Sequence, residues 1–254
     1  MPVLQQMPVL QQVTMKNKIA VITGAGGGIG RAIAVKLAGL GMRLVLFGGN
    51  HLEKLEATRK LVEGLNAECL VLPGNLTDTS LYDGMLRKIE ERFGGVDVLV
   101  NNAGIAINCP YSETSEGQFD AIMNINVRVP YFLTQRVLPY LRKSDSATII
   151  NLTSVVSHAG YPAQSAYSAS KHALLGFTKS LAAEVYQEGI RVHAIAPGGV
   201  YTDMVKISRP DLKPDGMTLP EEIAEIVEFL LLHRNNAVID EILVHRANKQ
   251  PFLV

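Results

Sequence analysis

The sequence predicts a doubly wound α/β fold: a seven-stranded parallel sheet with helices on both faces, in a single domain. Three observations lead there. Short, continuous apolar runs rich in Val, Ile and Leu alternate with helix-period stretches from Lys18 to His245, and continuous apolar strands are what a parallel sheet buried on both faces requires. The first run passes directly into the glycine-rich stretch Gly24–Gly30 and then into a helical pattern. Hydrophobic residues make up 47% of the chain, ample for a large core, and no linker or composition break divides it.

The elements follow in order. Lys18–Thr23 reads as a buried strand, and Arg31–Ala38 as a helix ending at Gly39 or Gly41. Arg43–Phe47, Glu68–Leu72 and Val96–Val100 are the next strands, each β-rich and bounded by polar or glycine residues. Helices are expected at 52–63 and 81–93, then one long helix over Gln118–Leu141. Ala147–Leu152 is the fifth strand, 164–186 a helix, and Arg191–Ala196 a sixth strand halted by Pro197-Gly198. A helix at Pro220–Leu232 and a strand at Glu241–His245 complete the alternation. Right-handed crossovers wind such units into one sheet, whose ligand edge lies at the carboxyl ends of the strands.

Composition removes several function classes. Lys+Arg and Asp+Glu number 24 each, so no general field favours nucleic acid or an anionic membrane. Two cysteines, Cys69 and Cys109, make neither a disulfide framework nor a metal pattern, and the six histidines show no ligand spacing. A reducing cytoplasm fits this usage. No stretch has the roughly 18 apolar residues of a membrane span, and the N-terminus lacks the charged and apolar regions of a signal peptide. It does carry a tandem M-P-V-L-Q-Q at 1–6 and 7–12. Residues 1–14 are expected to lie outside the fold, with 15–254 as the domain.

The chemistry centres on Ser154–Lys171. Tyr167 and Lys171 are spaced i, i+4 and share one helix face, with Cβ atoms roughly 5–6 Å apart. An ammonium that close favours the phenolate and lowers a pKa that is ordinarily near ~10. Ser154, at a strand end, offers a hydroxyl for the oxygen that gains or loses the proton. Alone, the pair fits an exposed polar helix face equally well. The Gly24–Gly30 loop, Asn101–Gly104, Ser154 and Pro197-Gly198 all fall at the ligand edge, however, and that convergence favours a reactive site. The glycines let the backbone turn tightly against a diphosphate at the N-terminus of a helix.

With these residues in place, the chain resembles the short-chain dehydrogenase/reductase family over about residues 16 to 245. The T-G-x-x-x-G-x-G loop stands as Thr23–Gly30, N-N-A-G as Asn101–Gly104, and Y-x-x-x-K as Tyr167 and Lys171. Ser154 lies thirteen positions before Tyr167, the catalytic asparagine matches Asn126, and Pro197-Gly198 matches the segment after strand six. The resemblance implies a Rossmann fold and hydride transfer between a nicotinamide cofactor and a carbonyl or secondary alcohol. Tyr167 would be the general acid/base, Ser154 would hold the substrate oxygen, and Asn126 would position a water linking Lys171 to solvent. Lys171 would lower the tyrosine pKa and hold the nicotinamide ribose. Cofactor contacts implied are Gly24, Gly26, Gly28, Ile29, Gly30, Gly49, Asn50, Asn75, Leu76, Asn102, Ala103, Gly104, Tyr167, Lys171, Pro197, Gly198, Val200 and Thr202. Substrate contacts implied are Ser154, Val156, His158, Tyr161, Tyr167 and Met204, with no metal. A homodimer or homotetramer is expected, packed through the long helices.

Four departures qualify the resemblance. The corner after strand two, Phe47-Gly48-Gly49-Asn50, has no carboxylate for ribose hydroxyls and no arginine for a 2′-phosphate. NADP is the preferred expectation, NAD the alternative, with Asn50, His51 and Arg31 as phosphate candidates. Asn75 stands where an aspartate usually accepts from adenine, and an asparagine carbonyl can still accept. Val129 replaces a glycine often seen after the catalytic asparagine. The end of the chain, Ile242-Leu243-Val244-His245-Arg246, lacks the V-D-G-G of many acyl-carrier-protein reductases. A 3-oxoacyl thioester reductase is therefore the second reading, and a non-catalytic dinucleotide-binding regulator the third.

Overall fold

The computed structural model describes residues 13–49, 51–203, 205 and 213–250. Asn50, Met204 and the repeat at 1–12 lie outside the described residues. Among the described residues, seven strands form one sheet in the order β3-β2-β1-β4-β5-β6-β7, and every pairing is parallel. They are β1 (Ile19–Thr23), β2 (Arg43–Gly48), β3 (Cys69–Pro73), β4 (Val98–Asn101), β5 (Thr148–Leu152), β6 (Arg191–Pro197) and β7 (Glu241–Val244). The chain builds outward from β1 to β3, then crosses back to β4 on the other side of β1. Strand order reverses there, which opens a crevice at the carboxyl ends of β1 and β4.

Alternate residues of each strand feed two cores, as the two-residue period demands. Ala20, Ile22, Leu44, Leu46, Val98 and Val100 pack with α1 (Gly28–Gly39), α2 (Leu52–Glu63) and α7 (Pro220–Leu232). Ile19, Val21, Val45, Phe47 and Leu99 pack on the opposite face with α3 (Tyr82–Phe93), α5 (Val129–Leu141) and α6 (Ser165–Val185). Strand bounds fall within a residue or two of those expected from the sequence. Val13 packs against the first core and Met15 is only 1% exposed, so the core takes in a residue two positions before the expected boundary at Met15.

The single helix expected over Gln118–Leu141 is interrupted. α4 (Glu116–Met123), started by a Ser115/Gln118 capping box, gives way to a π turn at Asn124–Arg128 before α5 resumes. Val129 N–H donates to Asn124 O, five residues back. Residue 130 is proline and has no N–H, so Asn126 O cannot receive the α-type bond from position i+4. The wider turn accommodates that missing donor, and such turns recur at functional sites. Asn126 sits at its centre, fully buried.

Candidate active site

A cleft of about 540 Å³ opens along the carboxyl ends of β1, β2, β4, β5 and β6. On one side the Gly24–Gly30 turn leads into α1, whose first turn has no acidic residue to oppose a diphosphate. Two glycines there are required by close approach. Gly24 has φ +67°, and a Cβ on it would lie 2.9 Å from Ala103 Cα. A Cβ on Gly30 would lie 2.5 Å from both Asn102 Nδ2 and Gly24 O. Asn102 is the fastener: its amide donates to Thr23 O at 2.9 Å, while the N–H groups of Asn102 and Ala103 both donate to Thr23 Oγ1 at 3.0 Å. The ends of β1 and β4 are thereby locked around the crevice.

The expected catalytic residues converge on the other side. Ser154 follows β5 and caps the short turn Val155–Ser157; its Oγ donates to Pro197 O at 3.3 Å. Tyr167 and Lys171 lie one helical turn apart on α6, and Lys171 Nζ is 5.8 Å from the Tyr167 ring centroid. All three line the cleft. Lys171 is 4% exposed and donates to Leu152 O at 2.7 Å, the last residue of β5. Asn126 stands behind them, outside the cleft lining. Its Oδ1 accepts from Ile105 N–H at 2.9 Å, and its amide donates to Ile105 O at 2.9 Å and Ser170 Oγ at 3.0 Å. Asn126 thus clamps the backbone beyond Gly104, against which Lys171 Nζ also packs: a Cβ on Gly104 would lie 3.2 Å from Asn126 Oδ1 and 3.6 Å from Nζ.

The electrostatics correct one expectation. Lys171 does not pull the Tyr167 phenol below its ordinary value. Burial raises it, opposed by the hydrogen bond with Ser154. Burial also brings the Lys171 ammonium down to about 8, because desolvation disfavours a charge with only a neutral carbonyl as partner. Tyr167 is therefore held protonated at neutral pH, and Lys171 is poised close to its own titration.

Of the remaining cofactor residues, Gly24, Gly26, Gly28, Ile29, Gly49, Asn102, Ala103, Gly104, Pro197, Gly198, Val200 and Thr202 all line the cleft. Gly30 packs beneath the loop. Asn75 and Leu76 do not line the cleft: Asn75 Oδ1 accepts from Thr77 N–H and Oγ1 in a local turn, and Leu76 is buried in the second core. Arg31 is not aimed at a phosphate; it donates to Gly26 O at 2.6 Å and Thr58 Oγ1 at 3.1 Å, tying the glycine loop to α2. Val156 is buried, Tyr161 lies under Lys249, and His158 pairs with Glu241 at 2.7 Å, so these three substrate candidates stand outside the cleft lining. Asn50 and Met204 lie outside the described residues.

Lys54 was the missed residue. It lies in the first turn of α2, exposed at the cleft, with its Cβ 3.2 Å from where a Cβ on Gly26 would be. A helix that follows a parallel strand begins at the carboxyl edge of the sheet, which is the signal that could have found it.

The residues fit a dinucleotide: a cradle floored by glycines, a helix N-terminus for the diphosphate, and a half-buried amide and backbone edge at Asn102–Gly104. Comparison with known proteins agrees. The family model for short chain dehydrogenases matches residues 18–213. The 3-oxoacyl-[acyl-carrier-protein] reductase FabG of Thermotoga maritima is 34% identical over 239 residues, covering 90% of this chain and 96% of the relative. Levodione reductase superposes with a TM-score of 0.83 at 32% identity, covering 91% of this chain and 96% of that structure. An alcohol dehydrogenase from Thermococcus sibiricus, complexed with 5-hydroxy-NADP, gives 0.83 at 30% identity, covering 92% and 98%.

Proposed function

Because the chain belongs to the short-chain dehydrogenase family, we propose that this oxidoreductase reduces a carbonyl to a secondary alcohol, and the reverse, with NADP(H) as its nicotinamide cofactor. The observation that carries the reading is the convergence of Ser154, Tyr167 and Lys171 on the cleft that the glycine loop opens. The bound dinucleotide supplies hydride chemistry; Gly24–Gly30, Asn102–Gly104, Pro197, Gly198, Val200 and Thr202 would hold it, with Lys171 at the nicotinamide-side ribose. The chain supplies orientation and the proton. Tyr167 gives its phenolic proton to the substrate oxygen during reduction and takes it back during oxidation. Ser154 Oγ donates to the same oxygen, where negative charge develops. Lys171, in its protonated form, stabilises the phenolate left behind.

NADP is favoured by charge. The end of β2 carries no carboxylate, and Lys54 lines the adjacent cleft, which supports a charge-assisted contact with a 2′-phosphate. The NADP-analogue complex of the Thermococcus sibiricus relative supports the same choice. The second reading is a 3-oxoacyl thioester reductase, supported by the Thermotoga maritima relative. Homo-oligomer formation is proposed through the outer face of α5 and α6, where half-exposed Tyr131 packs its ring 5.0 Å from Phe177. Measuring carbonyl-dependent oxidation of NADPH and NADH across a ketone panel tests the reading. We expect kcat/KM to favour NADPH, and Lys54→Ala to lower the NADPH value about tenfold with little change for NADH. A strong NADH preference overturns the cofactor assignment.

A further inference from the structure

Ser157 stands outside the cleft lining, yet it is only 3% exposed and lies between two residues that do the chemistry. It closes the short turn Val155–Ser157 that Ser154 caps. Within that turn it holds the main chain of Ser154 at both ends. Ser154 N–H donates to Ser157 Oγ at 3.3 Å, and Ser157 N–H donates to Ser154 O at 2.8 Å. The same hydroxyl also reaches out of the turn: Ser157 Oγ donates to Lys171 O on α6 at 3.0 Å.

A serine hydroxyl has one proton to give. In Ser157 it goes to a carbonyl, which can only accept, while Ser154 N–H points at a lone pair of the same oxygen. One atom thus joins the turn that carries Ser154 to the helix that carries Tyr167 and Lys171. The intervening chain does not make that link, since residues 158–164 form neither helix nor strand before α6 starts at Ser165. Ser170 donates to Tyr167 O at 2.7 Å and accepts from Asn126, so its hydroxyl is committed within α6 and to the π turn rather than to Ser154.

The link matters when Ser154 acts. Its single proton goes to Pro197 O, and that bond must be released before Ser154 Oγ can donate to a substrate oxygen. At that moment the placement of Oγ rests on the main chain of Ser154, which Ser157 holds. We infer that Ser157 is a positioning residue for proton transfer: its hydroxyl fixes the main chain of Ser154 against that of Lys171 and so sets where the Ser154 and Tyr167 hydroxyls meet at the substrate oxygen. The inference rests on the carbonyl-reductase reading above. Ser157 touches neither substrate nor cofactor and acts through Ser154.

The experiment is a double-mutant cycle between Ser157→Ala and Ser154→Ala. It is read by the single-turnover rate of NADPH oxidation with the best ketone of the panel, which keeps product release out of the comparison. Fluorescence titration of NADPH counts the folded sites, so that lost protein is not read as slow chemistry. Misplacing a reacting group by about 1 Å costs on the order of 10²-fold, and loss of this one tether should cost about tenfold. NADPH affinity should stay at the wild-type value, because the glycine loop is built on other strand ends. In the Ser154→Ala background, Ser157→Ala should cost less than about twofold, since no hydroxyl remains to be placed. A wild-type rate in Ser157→Ala, a rate loss matched by lost NADPH affinity, or a loss that recurs in full on top of Ser154→Ala overturns the role and leaves the reductase reading intact. No turnover of any ketone or alcohol by the wild type overturns both.

Discussion

The two sides of the cleft are built differently. On the glycine-loop and α6 side, the residues that face the cavity are attached to strand ends: Asn102 to Thr23, Lys171 to Leu152, Ser154 to Pro197, with Asn126 buried behind them. On the far side, Val200, Thr202 and Val205 of the β6–α7 connection line the cleft, and outside that lining the loop after Ser154 and the tail after β7 are fastened by the His158–Glu241 pair and by side chains lying on glycines. The sheet therefore sets the reaction, since its backbone cannot move without breaking ladder bonds. Loops are where substrate choice is expected to be set, because their side chains change without disturbing the strands.

This contrast is best broken at Lys171, where the largest effect is expected. Lys171→Met should lower kcat by about 10³-fold, within the range of a lost acid–base partner, and should weaken cofactor affinity in the same variant. Normal affinity, measured by fluorescence titration of NADPH, would separate the two tasks assigned to this ammonium. The wild-type pH profile sharpens the same point. With Lys171 titrating at about 8, kcat/KM for carbonyl reduction should hold at neutral pH and fall as pH rises through that value.

Stability should move in the opposite direction. The folded-state pKa of Lys171 lies below the 10.5 of an ordinary lysine, so between about pH 8 and 10.5 the unfolded chain holds a proton the folded chain has lost. The penalty for burying the ammonium is present below that window and relieved across it. Relative to Lys171→Met, the wild type should gain roughly 3 kcal/mol between pH 7 and pH 11. The difference between the two proteins is the quantity to measure, since the half-buried Cys69 thiol, pushed up to about 12, contributes with the reverse sign in both. A denaturant series at the two pH values reads it directly.

Asn126 comes next. Asn126→Ala leaves the N–H and C=O of Ile105 without their side-chain partners, and should cost about 1–3 kcal/mol per buried group left unpaired, read as a lowered Tm. The smallest effect is expected at the N-terminus. Removing residues 1–12 should leave Tm and activity unchanged, whereas removing Val13 as well should cost about 1 kcal/mol or less, since it is only partly buried against the core.

The sheet, its parallel order and the convergence of Ser154, Tyr167 and Lys171 on one edge were legible because each is written locally: apolar runs for strands, a glycine stretch for the turn, fixed spacing for the three side chains. What stayed hidden depends on distant pairings. The π turn at Asn126 follows from Pro130, four residues on, yet helix periodicity runs through both. His158 stands among the implied substrate contacts until Glu241, 83 residues away, is brought beside it. Lys54 sits in an ordinary charged helix face, and only the docking of α2 on the glycine loop aims it at the cleft. The direction of the Tyr167 shift is hidden in the sequence for a related reason: spacing reveals an adjacent ammonium, but burial is a property of the assembled fold.

The central claim is that Tyr167 moves the proton while the glycine loop and strand ends hold the cofactor. Tyr167→Phe tests it most directly, by measuring NADPH affinity and carbonyl reduction in the same preparation. The account predicts unchanged NADPH affinity and a kcat reduced by about three orders of magnitude. Turnover close to that of the wild type would contradict it.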